Sequence, residues 1–408
     1  MTKSNKPMKV LGGLTIEEFF RDYWQKKPLF VKNAFQDFVD PMSPDEIAGL
    51  SCEEGVPSRF VFEERNWELK CGPFADKDFA NLPEKKWVLL VNDVEKFMPQ
   101  MRVLSDPFNF IPEWRMDDLQ VSYAVDQGTV GAHWDDYDVF LIQGMGKKKW
   151  QISYDEVSEN DFVQGLPIRL IEKFNVHEEW IVEPGDLLYL PPRIGHFGVA
   201  IGESMTWSVG FRAPKHREMI HDFVEDIIQF TGADERYSDA DLLPREFSAE
   251  LNDDDIDRVM KVIQEGLSNN RDLVADWFGR FMSECKEGQE PETLDEEFSA
   301  DEVQGLLEDG ADIERVPTVS LYFRETVDEV VMYANGECFA LDKKHTKLVQ
   351  FLCENRQYSP GKMLQFLKDE VAAEFVVDLV NQGILAFFDG DDHDHDHDEC
   401  DGDCDHDH

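Results

Sequence analysis

Two stretches decide how this chain reads: residues 119–152, LQVSYAVDQGTVGAHWDDYDVFLIQGMGKKKWQI, and residues 182–200, VEPGDLLYLPPRIGHFGVA. Together they offer His133 and Asp135 as an H-x-D pair and, 61 positions after Asp135, His196. On a β-strand residues i and i+2 share a face, so His133 and Asp135 can bind one ion while Trp134 points the other way. Two imidazoles and one carboxylate on one face of an octahedron are the ligand set of non-haem Fe(II) oxygenases. The opposite face stays open to a co-substrate and oxygen, which a structural site with four closed ligands would not allow.

Working outward, EPGDLLYLPP (183–192) reads as a turn, a short apolar strand and a stop, which delivers His196 at the start of another strand. Strands are expected at 119–125, 138–143, 147–153, 178–183, 186–190, 197–201 and 205–211, with turns at Asp126-Gln127-Gly128 and Pro184-Gly185. Short strands at this spacing indicate a sandwich or a closed barrel, with the three ligands brought together inside it. Gly144-Met145-Gly146 reads as a tight hairpin turn between two of them. In the returning strand Lys148, Trp150 and Ile152 share one face, and Lys147, Lys149 and Gln151 the other. Lys148 is therefore a lone ammonium on the apolar side, which is costly without an anion. A dicarboxylate co-substrate bound by its far end would supply one.

At the N-terminus Thr15 with Glu18 forms a capping box that opens a helix, and Ser43-Pro44 with Glu46 repeats the pattern. WVLLVND (87–93) is a strand, and VEKFMPQMRVL (94–104) a helix or helix pair. Past Arg212-Ala213-Pro214 the hydrophobic period changes from two to 3.6, and helices are expected at 217–230, 254–267 and 272–285. A polar linker follows at 286–300. Then come a helix near 301–308, strands at 319–324 and 329–333, an Asn335-Gly336 hairpin turn and CFAL. Helices starting near Thr346 and Ser359-Pro360 and a last strand, ILAFF, complete a winged-helix-like pattern. It carries no basic recognition helix, so it reads as a protein-interaction or structural module. The expected division is 1–212 barrel, 213–290 helical module, 291–388 winged-helix-like domain and 389–408 tail.

With 408 residues and 42% hydrophobic composition, two or three domains with real cores are expected. The net charge of −46 argues against direct nucleic-acid binding, which draws on clustered Lys and Arg, and favours a basic partner. No apolar run approaches a membrane span, and Cys52, Cys71, Cys285, Cys338 and Cys353 are scattered without metal or disulfide spacing. A cytoplasmic protein with reduced thiols is expected. The tail holds ten Asp, one Glu, five His and two Cys, so it contributes −11 of the charge, cannot build a core, and is a candidate site for an extra divalent metal.

The segments YWQKKPLFVKNAF (23–35), SPDEIAGL (43–50), HWDDYDVFLIQGMGKKKW (133–150), PGDLLYLPP (184–192) and SVGFRAP (208–214) carry a resemblance. The chain resembles the JmjC-type, 2-oxoglutarate-dependent protein hydroxylases, in particular the bacterial ribosomal oxygenases, over all but its last twenty residues. The resemblance implies an α+β chain built on a double-stranded β-helix (jelly-roll or cupin) barrel, with Fe(II) at His133, Asp135 and His196. It implies that Lys148 grips the distal carboxylate of 2-oxoglutarate, that Ser122 and Thr206 lie near that co-substrate, and that the chain forms a homodimer. A relative carries an amide where this chain has Thr206. The implied reaction is hydroxylation at the β-carbon (C3) of an arginine in the sixteenth protein of the large ribosomal subunit. A guanidinium needs a fork of acceptors, and Asp126, in the turn before His133, is the candidate, with Tyr137 and Ser208 lining the approach. The alternatives are a hydroxylase or demethylase of another protein, and a non-catalytic metal-binding cupin scaffold; Lys148 speaks against the scaffold.

Overall fold

Two long antiparallel strands, Asp138–Ser153 and Gly195–Phe211, are the spine of the first part of the chain. In the computed structural model, which describes residues 6–228, 236–241, 251, 253–266, 271–294 and 296–388, they pair from Asp138 opposite Phe211 to Ser153 opposite Gly195. The hairpin expected at Gly144-Met145-Gly146 is therefore absent, and the strands expected at 197–201 and 205–211 are one. Gly146 and Gly202 take φ of 66° and 72°, and the register slips between Gln143 and Lys147. These glycines form a bulge that bends the ladder without reversing it. Glycines flanking a short segment mark a hairpin or a bulge equally well; here both flanks keep the same partner strand. Parity survives the bulge: Lys148, Trp150 and Ile152 are buried, and Lys147, Lys149 and Gln151 are not.

The chain divides into two units, residues 1–221 and 222–408. In the first, the strands are β1 (Leu29–Val31), β2 (Ser58–Phe62), β3 (Glu68–Cys71), β4 (Trp87–Val91), β5 (Met116–Ala124), β6 (Asp138–Ser153), β7 (Glu178–Val182), β8 (Leu187–Leu190) and β9 (Gly195–Phe211). They form one sheet in the order β1-β8-β6-β9-β5-β4-β2-β3, with β7 paired to β6. Helices α1 (Ile16–Asp22) and α2 (Pro44–Leu50) open on both expected capping boxes. Short helices α3 (Asp76–Phe79) and α4 (Val94–Phe97) follow β3 and β4, and a 3-10 turn at Pro99–Leu104 completes the expected helix pair. Strands β2 and β3 went unforeseen; β3, ELKC, has no buried residue. The pleat separates two environments. On β5 and β9, Leu119, Val121, Trp207 and Val209 pack into the main hydrophobic core, while Gln120, Ser122, Thr206 and Ser208 face a cavity on the other side.

The second unit receives the end of α5 (His216–Ile228), followed by α6 (Asp253–Gly266), α7 (Arg271–Ser283) and α8 (Ala300–Glu308). Trp277 and Arg280 of α7 donate to Asp222 and Asp226 of α5, each at 2.6 Å. After α8 come β10 (Asp312–Arg315), β11 (Leu321–Glu325), β12 (Glu329–Ala334), β13 (Glu337–Asp342), α9 (Thr346–Glu354), β14 (Gln357–Tyr358), α10 (Pro360–Phe366), α11 (Glu370–Asn381) and β15 (Leu385–Phe388). Strands β11-β12-β13 form a meander whose second turn is Asn335-Gly336, both with positive φ. Strands β14-β10-β15 form a second small sheet. The single helix expected from Ser359 is split at Asp369, whose side chain caps α11 through the Ala372 N–H. Tyr333 of β12 donates to Asp276 of α7 at 2.8 Å, so the position expected for a boundary, residue 290, lies inside this unit. The tail, with its His and Cys at 393–408, lies outside the described residues.

Candidate active site

His133 sits in the loop leading into β6, tied to the sheet by one bridge. Its N–H donates to the His196 carbonyl at 3.0 Å, and the His196 N–H donates back at 2.8 Å. Such a mutually bonded antiparallel pair places both side chains on one face. The strand expected for the H-x-D is reduced to that bridge, because the Asp135 carbonyl accepts instead from the Arg193 N–H at 2.7 Å. The Trp134 ring lies 5.0 Å and 5.4 Å from the Arg169 and Arg193 guanidiniums.

The His133 and His196 Nε2 atoms are 3.1 Å apart, and Asp135 Oδ2 is 3.8 Å from the first and 3.5 Å from the second. Each Nδ1 lies 3.0 Å from a backbone carbonyl, Gly131 for His133 and Ile194 for His196. A carbonyl only accepts, so each Nδ1 carries the proton and each Nε2 presents a lone pair. Burial, and then neighbouring His133, pushes the His196 pKa down to about 4, which keeps that imidazole neutral. Two lone pairs and a carboxylate oxygen that converge with no proton between them repel one another. A cation held by His133, Asp135 and His196 would remove the repulsion. Among the described residues this is the cluster of His, Cys, Asp and Glu donors that could hold a metal ion.

The triad opens onto a cavity of about 630 Å³ that is also lined by Lys148 of β6, Ser122 of β5 and Thr206 of β9. Lys148 is 6% exposed; its Nζ donates to Thr206 Oγ1 at 3.2 Å and lies 5.3 Å from the Trp150 ring. Thr206 Oγ1 donates in turn to Gln143 Oε1 at 3.2 Å. No carboxylate of the described residues pairs with Lys148, and burial pushes its pKa down to about 8. Ser122 stands opposite Thr206 in the β5–β9 register and donates to its carbonyl at 3.3 Å. The cavity thus holds three metal donors at one place and a buried ammonium lacking a counter-ion at another.

Residues 103–219 match the family described as JmjC domain, and residues 265–386 that described as ROXA-like winged helix. The ribosomal protein uL16 3-hydroxylase of Escherichia coli is 34% identical over 374 residues, which covers 91% of this chain and 97% of that protein. The chain belongs to the JmjC ribosomal oxygenase family. A probable ribosomal oxygenase of Haemophilus influenzae is 34% identical over 336 residues, covering 79% of this chain and 82% of that one. The X-ray structure of Escherichia coli YcfD aligns with a TM-score of 0.81 at 33% identity, over 92% of this chain and 98% of YcfD. The YcfD structure in complex with cobalt and 2-oxoglutarate aligns with a TM-score of 0.80 over the same shares. The jelly-roll and the winged helix expected from the sequence are both present.

In this ribosomal oxygenase Asp126, the expected acceptor for a guanidinium, does not reach the cavity. Asp126 holds its own turn together: it pairs with Lys85 at 2.9 Å, accepts from the Gly202 N–H at 3.0 Å, and does not line the cavity. Those partners, Lys85 first, hold its pKa down at about 2. Asp117 and Asp118 line the cavity instead, with Tyr137 and Ser208. Between Met116 and Leu119 two residues of β5 stand against the single Gly210 of β9, a bulge that turns two consecutive side chains toward one space. Burial, then the charges of Asp135 and Asp118, raises the Tyr137 pKa, so its phenol stays protonated. Strand alternation alone admits only one of two adjacent acids; the doubled Asp at the strand's start was the signal available.

Proposed function

We propose that this chain is a 2-oxoglutarate- and Fe(II)-dependent protein hydroxylase that oxidises the β-carbon of an arginine in ribosomal protein uL16. The observation that carries the reading is Lys148, a buried cation without a counter-ion in the cavity that holds His133, Asp135 and His196. Iron held by those three side chains would supply the oxygen activation that couples decarboxylation of 2-oxoglutarate to succinate with insertion of one oxygen atom into a C–H bond.

The protein's own groups bind and orient. Protonated Lys148 grips the distal carboxylate of 2-oxoglutarate, with the Thr206 hydroxyl holding its Nζ and Ser122 bordering the same space. Asp117 and Asp118 offer acceptors to a guanidinium, and Tyr137 and Ser208 line its approach. Enclosure lowers the local dielectric and strengthens both ion pairs. The basic ribosomal protein also meets a chain of net charge −46, which speeds encounter.

The 213–290 segment is the pairing surface of a homodimer in this reading. Ile256, Val259, Met260 and Ile263 form an apolar stripe on α6 and are each about half exposed. The 389–408 tail binds additional divalent metal through its His and Cys, and deleting it should lower the metal bound per chain. The protein acts in the cytoplasm, where its substrate is made; no described helix is long and apolar enough to cross a membrane.

The test is 2-oxoglutarate turnover by the purified protein with Fe(II), with and without the arginine-bearing uL16 loop peptide. Coupled turnover with a peptide mass gain of one oxygen supports the proposal. Turnover without peptide oxidation moves the substrate to another protein, and no turnover with iron bound favours a scaffold.

A further inference from the structure

The corner between β4 and α4 touches neither the metal donors nor Lys148, yet it buries a carboxyl group. Glu95, on the first turn of α4, is 2% exposed, and its Oε2 accepts from the Leu119 N–H at 2.9 Å. Leu119 is the first residue after the β5 bulge. Where β4 ends, a side chain thus takes the place of a strand as acceptor. Three residues earlier, Asn92 donates through Nδ2 to Asp118 Oδ2 at 2.7 Å, and Arg59 donates to Asn92 Oδ1 at 2.7 Å. Gly210 completes the setting from β9, because a Cβ there would lie 2.9 Å from Asp118 Oδ1.

A bulge of one residue is a register choice. A strand that slid back into alternation would keep one acid in the cavity and turn the other toward the core. Beyond the bulge the ladders to β9 and β4 hold Leu119 to Ala124 in register, and a contact to the first backbone N–H past it adds a hold at the bulge itself. Of the described contacts, the one made by the first backbone N–H past the bulge is to Glu95. A buried carboxylate is expensive to retain for packing alone.

We infer that Glu95 is a positioning residue for substrate recognition: by holding the Leu119 N–H it locks the β5 bulge and keeps Asp117 and Asp118 together as a two-carboxylate clamp for a cationic side chain. This rests on the reading of those two acids as the substrate's cation site. Glu95 acts through the backbone and does not touch the substrate. Its loss therefore loosens peptide binding while leaving the co-substrate end of the cavity as it was.

The experiment measures binding of a fluorescein-labelled arginine peptide and of 2-oxoglutarate to the full chain, alongside turnover. Glu95→Ala should weaken peptide binding about ten-fold, the scale of a lost hydrogen bond to a charged group, with the 2-oxoglutarate dissociation constant unchanged. Glu95→Gln retains an acceptor oxygen and should restore peptide binding to near wild type. Gly210→Ala crowds Asp118 and should weaken peptide binding without any change at Glu95. Parallel losses of peptide and co-substrate binding in Glu95→Ala would mean a merely structural role and overturn the inference. So would unchanged peptide binding in Glu95→Ala and Gly210→Ala by a wild-type protein that does bind and oxidise the peptide. A wild-type protein that binds no arginine peptide overturns the substrate reading, and the clamp falls with it.

Discussion

His133 and His196 exchange two backbone hydrogen bonds, and the same bridge sets their Nε2 atoms 3.1 Å apart. The backbone thus holds the donors in place before any ion arrives, so most of the binding energy of a metal is available as stabilisation. At a metal concentration 100 times the dissociation constant the gain is about 2.7 kcal/mol. Chelation should lower the melting temperature of the wild type, and His133→Ala should abolish both the shift and the turnover. An equal shift in His133→Ala would place the metal elsewhere.

Lys148 sets the pH dependence of co-substrate binding. Its pKa is pushed down to about 8, so it is charged below that pH and loses its charge as pH rises through it. The KM for 2-oxoglutarate should climb above about pH 8, by up to ten-fold per pH unit, with kcat at saturation little changed. Lys148→Arg carries a charge that does not titrate in this range and should flatten the profile. A rising KM that persists in Lys148→Arg would assign the titration to another group.

Asp126 and Asp118 should separate stability from recognition. Asp126→Asn removes the Lys85 pair and should lower the melting temperature without changing peptide affinity. The folded-state pKa of Asp126 is held at about 2 against an ordinary 3.8. Its contribution is therefore full above the ordinary value and lost as pH falls through about 2, where the gap between wild type and Asp126→Asn should close. Asp118→Asn should do the reverse: near-normal stability and about ten-fold weaker peptide binding. Peptide affinity lost in Asp126→Asn would return that residue to the site.

The apolar stripe of α6 should govern association. Ile263→Glu, at a position 53% exposed, places a charge in any contact made by the α6 stripe. Sedimentation should show the wild type as a dimer and the variant as a monomer. A wild type that sediments as a monomer at working concentration would leave the stripe without that role.

Much of this architecture was legible in the chain, for identifiable reasons. Both capping boxes announce their helices because the cap residue and its Glu lie three positions apart. The facing of Lys148 follows from parity, which the bulge within β6 does not disturb. The continuity of β6 was hidden, because Gly146 with positive φ serves a bulge and a hairpin alike. Asp126 was misplaced for a related reason: proximity in sequence to His133 says nothing about which side of the turn its carboxylate occupies. Asp117 and Asp118 gather in the cavity only through the bulge opposite Gly210, a relation between residues more than 90 positions apart that periodicity within one strand does not contain.

Strands β6 and β9 pair from end to end, and between them they carry Lys148, His196 and Thr206. Those three residues cannot fray without opening the longest ladder among the described residues, so local unfolding there should be as rare as global unfolding. Amide protons of residues 147–152 and 197–201 should be among the last to exchange with deuterium. Release of bound metal on heating should then coincide with the melting of that unit rather than precede it, which makes the ion a reporter of the whole fold.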